Sequence, residues 1–81
     1  MKKEEIYDML NEVFRDVFDD DSITVSDSTT ANDIEDWDSL EHINLVVAVE
    51  KRFNVKFGMN EVTGMKNVGD MVKIIIERTS R

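Results

Sequence analysis

The sequence predicts an all-α fold: a four-helix bundle of three main helices and one short helix, with a long loop between the first and second. Three observations carry this expectation. Apolar residues recur at helical spacing near both ends of the chain and again in its middle. Only one stretch, Asn54-Val55-Lys56-Phe57, has a strand-like pattern, and it has no second strand to pair with. No proline, internal repeat or linker interrupts the 81 residues, which suits one domain over residues 1–81 with a core just large enough to fold alone.

The first helix is the clearest. Ile6, Met9, Leu10, Val13, Phe14, Val17 and Phe18 fall at i, i+3, i+4, i+7, i+8, i+11 and i+12, which predicts an amphipathic helix over about residues 3–18. After it comes DDDSITVSDSTTANDIEDWD, rich in Asp, Ser and Thr, whose side chains compete for backbone hydrogen bonds and favour turns. Ile23, Val25, Ile34 and Trp37 are spaced through it and can pin it to a core. Loops of about twenty residues are uncommon in small domains and tend to be functional.

A second helix is expected over Ser39 to Phe53, a short third over about Asn60 to Met65, and a last from Val68 to about Glu77. In the last, Val68, Met71, Val72 and Ile75 keep helical spacing, with Asn67 as N-cap and Asp70 placed for a capping box. The second helix has two apolar sectors. Leu45, Val46, Val49 and Phe53 share the one that suits a core. Leu40, Ile43 and Val47 form a neighbouring stripe beside Glu41 and Asn44, which is either a docking ridge or a face covered by other helices.

Composition narrows the function. No cysteine is present, which excludes a disulfide framework, a thiol nucleophile and cysteine metal sites. Glu4, Glu5 and Asp8 break any signal-peptide apolar core, and no run approaches the roughly 20 apolar residues of a membrane span, so a cytoplasmic location is expected. The net charge of −8 is uneven: residues 16–50 hold eleven acids and no lysine or arginine. Such a half repels nucleic-acid backbones and attracts basic protein surfaces. DDDSITVSD lacks the glycine and terminal glutamate of a calcium loop, and no metal site is expected.

The junction Glu35-Asp36-Trp37-Asp38-Ser39-Leu40-Glu41 raises the functional question. Ser39 is a helix cap, a nucleophile or an attachment point. Asp38 is the better cap, because Glu41 follows it at capping-box spacing. His42 lies three residues after Ser39, close enough to be its neighbour on the helix, but the pair still needs an orienting acid, an oxyanion hole and a water-excluding cleft, and no Gly-x-Ser-x-Gly elbow is present. His42 reads as a surface residue, and no catalytic residue is assigned. A hydroxyl at an exposed helix start, following a polar loop, is accessible to a modifying enzyme. An anion placed there meets the free N–H groups of the first turn.

These residues resemble the acyl carrier protein family. Asp38-Ser39-Leu40 is similar to its attachment motif, INLVVAVEKRFNVKF to its second helix and following loop, and NVGDMVKII to the start of its fourth helix. The resemblance implies that Ser39 receives 4′-phosphopantetheine from coenzyme A through a separate phosphopantetheinyl transferase (holo-ACP synthase). The arm then carries acyl groups as thioesters between acyl-loading, condensing or acyl-transfer enzymes with basic surfaces. It implies docking through Asp38, Leu40, Glu41, Ile43 and Val47, and an acyl pocket lined by Val49, Phe57, Val62, Met65, Met71 and Ile75. A monomer with no catalysis of its own, no nucleic-acid partner and no membrane span is expected. Asn44, Lys51 and Arg52 stand where fatty-acid carriers usually have acids. Trp37 and DIEDWDSL look more like standalone carriers of specialised pathways, so the cargo is left open among fatty acyl, polyketide, amino acyl and hydroxy acyl groups. The alternative is an acidic interaction adaptor that uses the same ridge unmodified.

Overall fold

The computed structural model describes residues 1–79, and within them the chain forms four helices: α1 Lys3–Phe18, α2 Ser39–Phe53, α3 Met59–Gly64 and α4 Val68–Thr79. No strand occurs among the described residues, and positions 54–57 run as a loop. The all-α expectation holds, with bounds that match closely for α1 and α2. α4 continues two residues past the expected end, where the Thr79 hydroxyl donates to the Ile75 carbonyl at 2.7 Å.

Periodicity becomes packing directly. Ile6, Leu10 and Phe14 of α1, Leu45 and Val49 of α2, and Val68, Met71, Val72 and Ile75 of α4 are almost wholly removed from water and form one core. Both α1 and α2 end on a residue in the left-handed conformation, Asp19 (φ 50°) and Asn54 (φ 55°). Asp and Asn tolerate that region better than other side-chain-bearing residues, so they close these helices where glycine often does.

The twenty-residue loop is held by α1 and gripped again by α4. Val25 is buried and its N–H donates to Asn11 Oδ1 at 2.8 Å, while Arg15 Nε donates to the Ile23 carbonyl at 2.7 Å. Ile23, Ile34 and Trp37 pack against the core's edge, as expected for pinning residues. Asp27 is the main polar tie: Lys3 Nζ lies 2.8 Å from its carboxylate and the Tyr7 hydroxyl donates to it. The loop then caps α4 with its own carbonyls. The Val68 N–H donates to Thr29 at 2.9 Å and the Gly69 N–H to Asp27 at 3.0 Å.

Asn67 caps α4 as expected, its Oδ1 accepting from the Asp70 N–H at 2.9 Å. The reciprocal half of the box is shifted by one residue, because Asp70 Oδ2 accepts from the Lys66 N–H at 2.9 Å. α3 starts one residue earlier than the spacing suggests, since the Gly58 N–H donates to Glu61 Oε1 at 2.7 Å and sets the first turn. This short helix has no buried residue. It is tied to α4 by Arg78, which donates to Glu61 Oε2 at 2.7 Å.

Candidate functional site: the Ser39 junction

Ser39 is the first residue of α2 and is exposed. Asp38 does the capping: its Oδ1 accepts from the Glu41 N–H at 2.8 Å, satisfying one orphan donor of the first turn. Glu41 does not complete the box; its Oε1 accepts from Asn44 Nδ2 at 3.0 Å. With the cap supplied next door, the exposed Ser39 hydroxyl makes no hydrogen bond among the described residues.

An open cavity of about 470 Å³ adjoins this hydroxyl, between the start of α2, the end of the loop, α3 and the start of α4. Of the six residues expected to line an acyl pocket, Val62, Met65 and Met71 lie on this cavity. Val49 and Ile75 do not: both are fully buried in the main core. Phe57 is half-buried and packs against the core away from the cavity. The cavity also takes in Ala31, Thr63 and Lys66, which sequence reasoning did not single out, and Asn67, expected only as the cap of α4.

The largest departure concerns His42, which is not a free surface residue. The Trp37 indole N–H donates to His42 Nδ1 at 3.1 Å, and His42 Nε2 lies 3.1 Å from the Val62 carbonyl. Indole has only a donor to offer, so Nδ1 accepts this bond, and the tautomer that fits both contacts donates from Nε2 to the Val62 carbonyl. Both ring nitrogens are thereby occupied, leaving none to deprotonate Ser39. The Ser–His pair is not a nucleophile and base.

The apolar stripe of α2 faces solvent. Leu40 is 71% exposed, Ile43 51% and Val47 43%, so no other helix among the described residues covers them. Asp38 is exposed and Glu41 half-buried beside them. Ser39 thus stands at the end of an apolar ridge with two acids around it, next to a cavity floored by methionine and valine side chains. Among the described residues, no group of acids or histidines could hold a metal ion, and no helix is long and apolar enough to cross a membrane.

No family model matches the chain. Individual relatives do. It is 35% identical over 79 residues to the acyl carrier protein of Acidothermus cellulolyticus, covering 98% of this chain and 94% of that one. It is 32% identical to the acyl carrier protein of Picosynechococcus over 94% of each chain, and 32% identical to that of Clostridium perfringens, covering 94% of this chain and the whole of the relative. The solution structure of a holo acyl carrier protein from Geobacter metallireducens superposes with a TM-score of 0.85 at 45% identity, covering 93% of this chain and 86% of that one. Four helices with these bounds, a free serine at the start of α2 and relatives matched almost end to end leave one assignment: the chain belongs to the acyl carrier protein family.

Proposed function

We propose that Ser39 carries a 4′-phosphopantetheine arm derived from coenzyme A, installed by a phosphopantetheinyl transferase, and that the chain acts as one carrier domain over residues 1–81. The observation that carries this reading is the unpartnered Ser39 hydroxyl beside an open cavity. The residues present fit the group. Ser39 offers a hydroxyl with no competing backbone duty, the first turn of α2 offers N–H groups to a phosphate, and Val62, Met65 and Met71 offer an apolar floor. When attached, the arm supplies a terminal thiol on which acyl groups ride as thioesters, the reactive sulfur that this cysteine-free chain lacks.

The chain's own residues do the rest of the work. Asp38 and Glu41 attract basic enzyme surfaces to the Ser39 end of α2, and Leu40, Ile43 and Val47 supply an apolar ridge that a partner desolvates on docking. Partners are acyl-loading, condensing and acyl-transfer enzymes, met one at a time by a monomeric carrier in the cytoplasm. A shuttle must release each enzyme in turn, so the contacts are weak by design and the tether maintains effective concentration. Val49, Ile75 and Phe57, although off the cavity, would border a longer acyl chain only if the core opened along α2 and α4.

Intact mass after incubation with coenzyme A, magnesium and a broad-specificity transferase tests the reading. The wild type is expected to gain one phosphopantetheine and Ser39→Ala none. An unmodified wild type would instead support an adaptor that docks through Leu40, Ile43 and Val47 without a prosthetic group.

A further inference from the structure

The geometry points to Lys66 as the residue that holds the phosphodiester of the arm and thereby lays the arm against α3 while no enzyme is engaged. This rests on the Ser39 reading above. Ser39 and Lys66 line the same cavity, Ser39 from the start of α2 and Lys66 from the turn between α3 and α4. Lys66 is the only lysine or arginine of that lining.

Apart from the first-turn N–H groups of α2, the charges around Ser39 are unfavourable to an anion. Glu35, Asp36, Asp38 and Glu41 flank Ser39 along the chain, and no lysine or arginine occurs between Arg15 and Lys51. A phosphodiester placed at Ser39 therefore meets like charge from its own segment and opposite charge only across the cavity. Lys66 is exposed and forms no ion pair among the described residues. The nearby Asp70 carboxylate accepts from the Lys66 main-chain N–H, and its partner there is the backbone. Met65, the residue before Lys66, and Val62 give the remainder of the arm an apolar surface on the same side.

The latch is weak, which is what a carrier needs. An exposed ion pair shifts an equilibrium by a factor of about five at most. A basic enzyme surface drawn to Asp38 and Glu41 brings its own cations to the phosphodiester, displaces Lys66, and frees the arm at the moment of docking.

Amide spectra of the apo and holo chain, the latter made with coenzyme A and a transferase, test the assignment without any activity assay. Lys66→Gln, Lys66→Glu and Lys66→Arg are prepared alongside. In the wild type at low salt, modification should move the amides of residues 62–66 as well as those of residues 38–41. In Lys66→Gln and Lys66→Glu the shifts at 38–41 should persist and those at 62–66 should fall severalfold, while Lys66→Arg should retain them. Half-molar salt should mimic Lys66→Gln. Added mass with unmoved 62–66 amides, or the same shifts in wild type and Lys66→Gln, would overturn the role of Lys66 and leave Ser39 intact. No added mass on the wild type would overturn the Ser39 reading and the latch with it. Apo spectra of the variants, compared with the wild type, show whether α3 itself still forms.

Discussion

The Trp37 indole donates to His42 at 3.1 Å, the two ring planes inclined by 26° with centroids 5.9 Å apart, while the far side of the imidazole reaches the Val62 carbonyl at 3.1 Å. One side chain thus joins the loop, α2 and α3 around the cavity beside Ser39. Trp37 is itself fixed edge-on against Phe14 of the core, with centroids 5.3 Å apart. α3 has no buried residue to anchor it, so this bridge has few substitutes.

Replacing His42 by Ala removes two partly buried hydrogen bonds, each worth about 1 kcal/mol, and leaves the Trp37 N–H without its acceptor. A loss of roughly 1–3 kcal/mol in urea unfolding is expected. Amide exchange should quicken most in α3. Modification of Ser39 should survive, because His42 contributes nothing to the hydroxyl's reactivity. An unchanged α3 exchange rate would show that the bridge does not hold the helix.

Gly69 gives a sharper prediction about the fold. A Cβ there would sit 2.9 Å from the Asp27 carbonyl oxygen and 3.3 Å from its Cα, both backbone atoms that cannot swing away. The Gly69 N–H also donates to that same carbonyl, so the contact is close because the loop caps α4. Gly69→Ala should cost about 1–3 kcal/mol, the range of overpacking substitutions. Gly64, at the end of α3, has nothing within 4 Å of its would-be Cβ. Gly64→Ala should be neutral or stabilising by up to about 1 kcal/mol, through reduced freedom of the unfolded chain. Urea midpoints of the two variants compare them directly.

The contrast between these sites shows what the sequence reveals. Helical periodicity places Ile6, Leu10 and Phe14 inside, and the Asp38 cap is legible because its side chain and the Glu41 N–H are local partners. Partners distant in the chain leave no such trace. Nothing marks Asp27, one of eleven acids between residues 16 and 50, as the group that gathers Lys3, Tyr7 and the start of α4. His42 looks unattached because one of its partners is a main-chain carbonyl, which every residue possesses. Val49 and Ile75, expected from the family resemblance to line an acyl pocket, are fully buried in the core.

Asp38 combines two duties that one pair of substitutions separates. Asn caps a helix about as well as Asp, so Asp38→Asn should keep the bond to the Glu41 N–H and leave stability within a few tenths of a kcal/mol. Asp38→Ala should lose about 1 kcal/mol. If the carboxylate steers basic partners, both variants should slow modification by a transferase at low salt, several-fold, and the difference from wild type should shrink as salt rises. Slowing by Asp38→Ala alone would assign the effect to the cap and dismiss the charge.

The Tyr7–Asp27 pair should shape stability at both ends of the pH scale. The Lys3 ammonium, followed by the Tyr7 hydroxyl, stabilises the Asp27 carboxylate and holds its pKa below the usual range. A lowered folded pKa contributes stability that is present above the unfolded value of about 3.9 and is lost as pH falls through the folded one. Tyr7 is displaced the other way, upward, by burial first and then by its bond to Asp27. Its contribution is complete below the ordinary tyrosine value of about 10 and fades as pH climbs beyond it. Melting temperatures across pH 3 to 11 should therefore fall at both ends. Asp27→Asn should flatten the acid limb only in part, since Asp20 and Glu61 are also lowered, by Ser22 and Arg78 respectively. Tyr7→Phe should leave most of the acid limb in place and remove much of the alkaline fall. An alkaline fall that persists undiminished in Tyr7→Phe would place its origin in the lysines and rule out this hydroxyl.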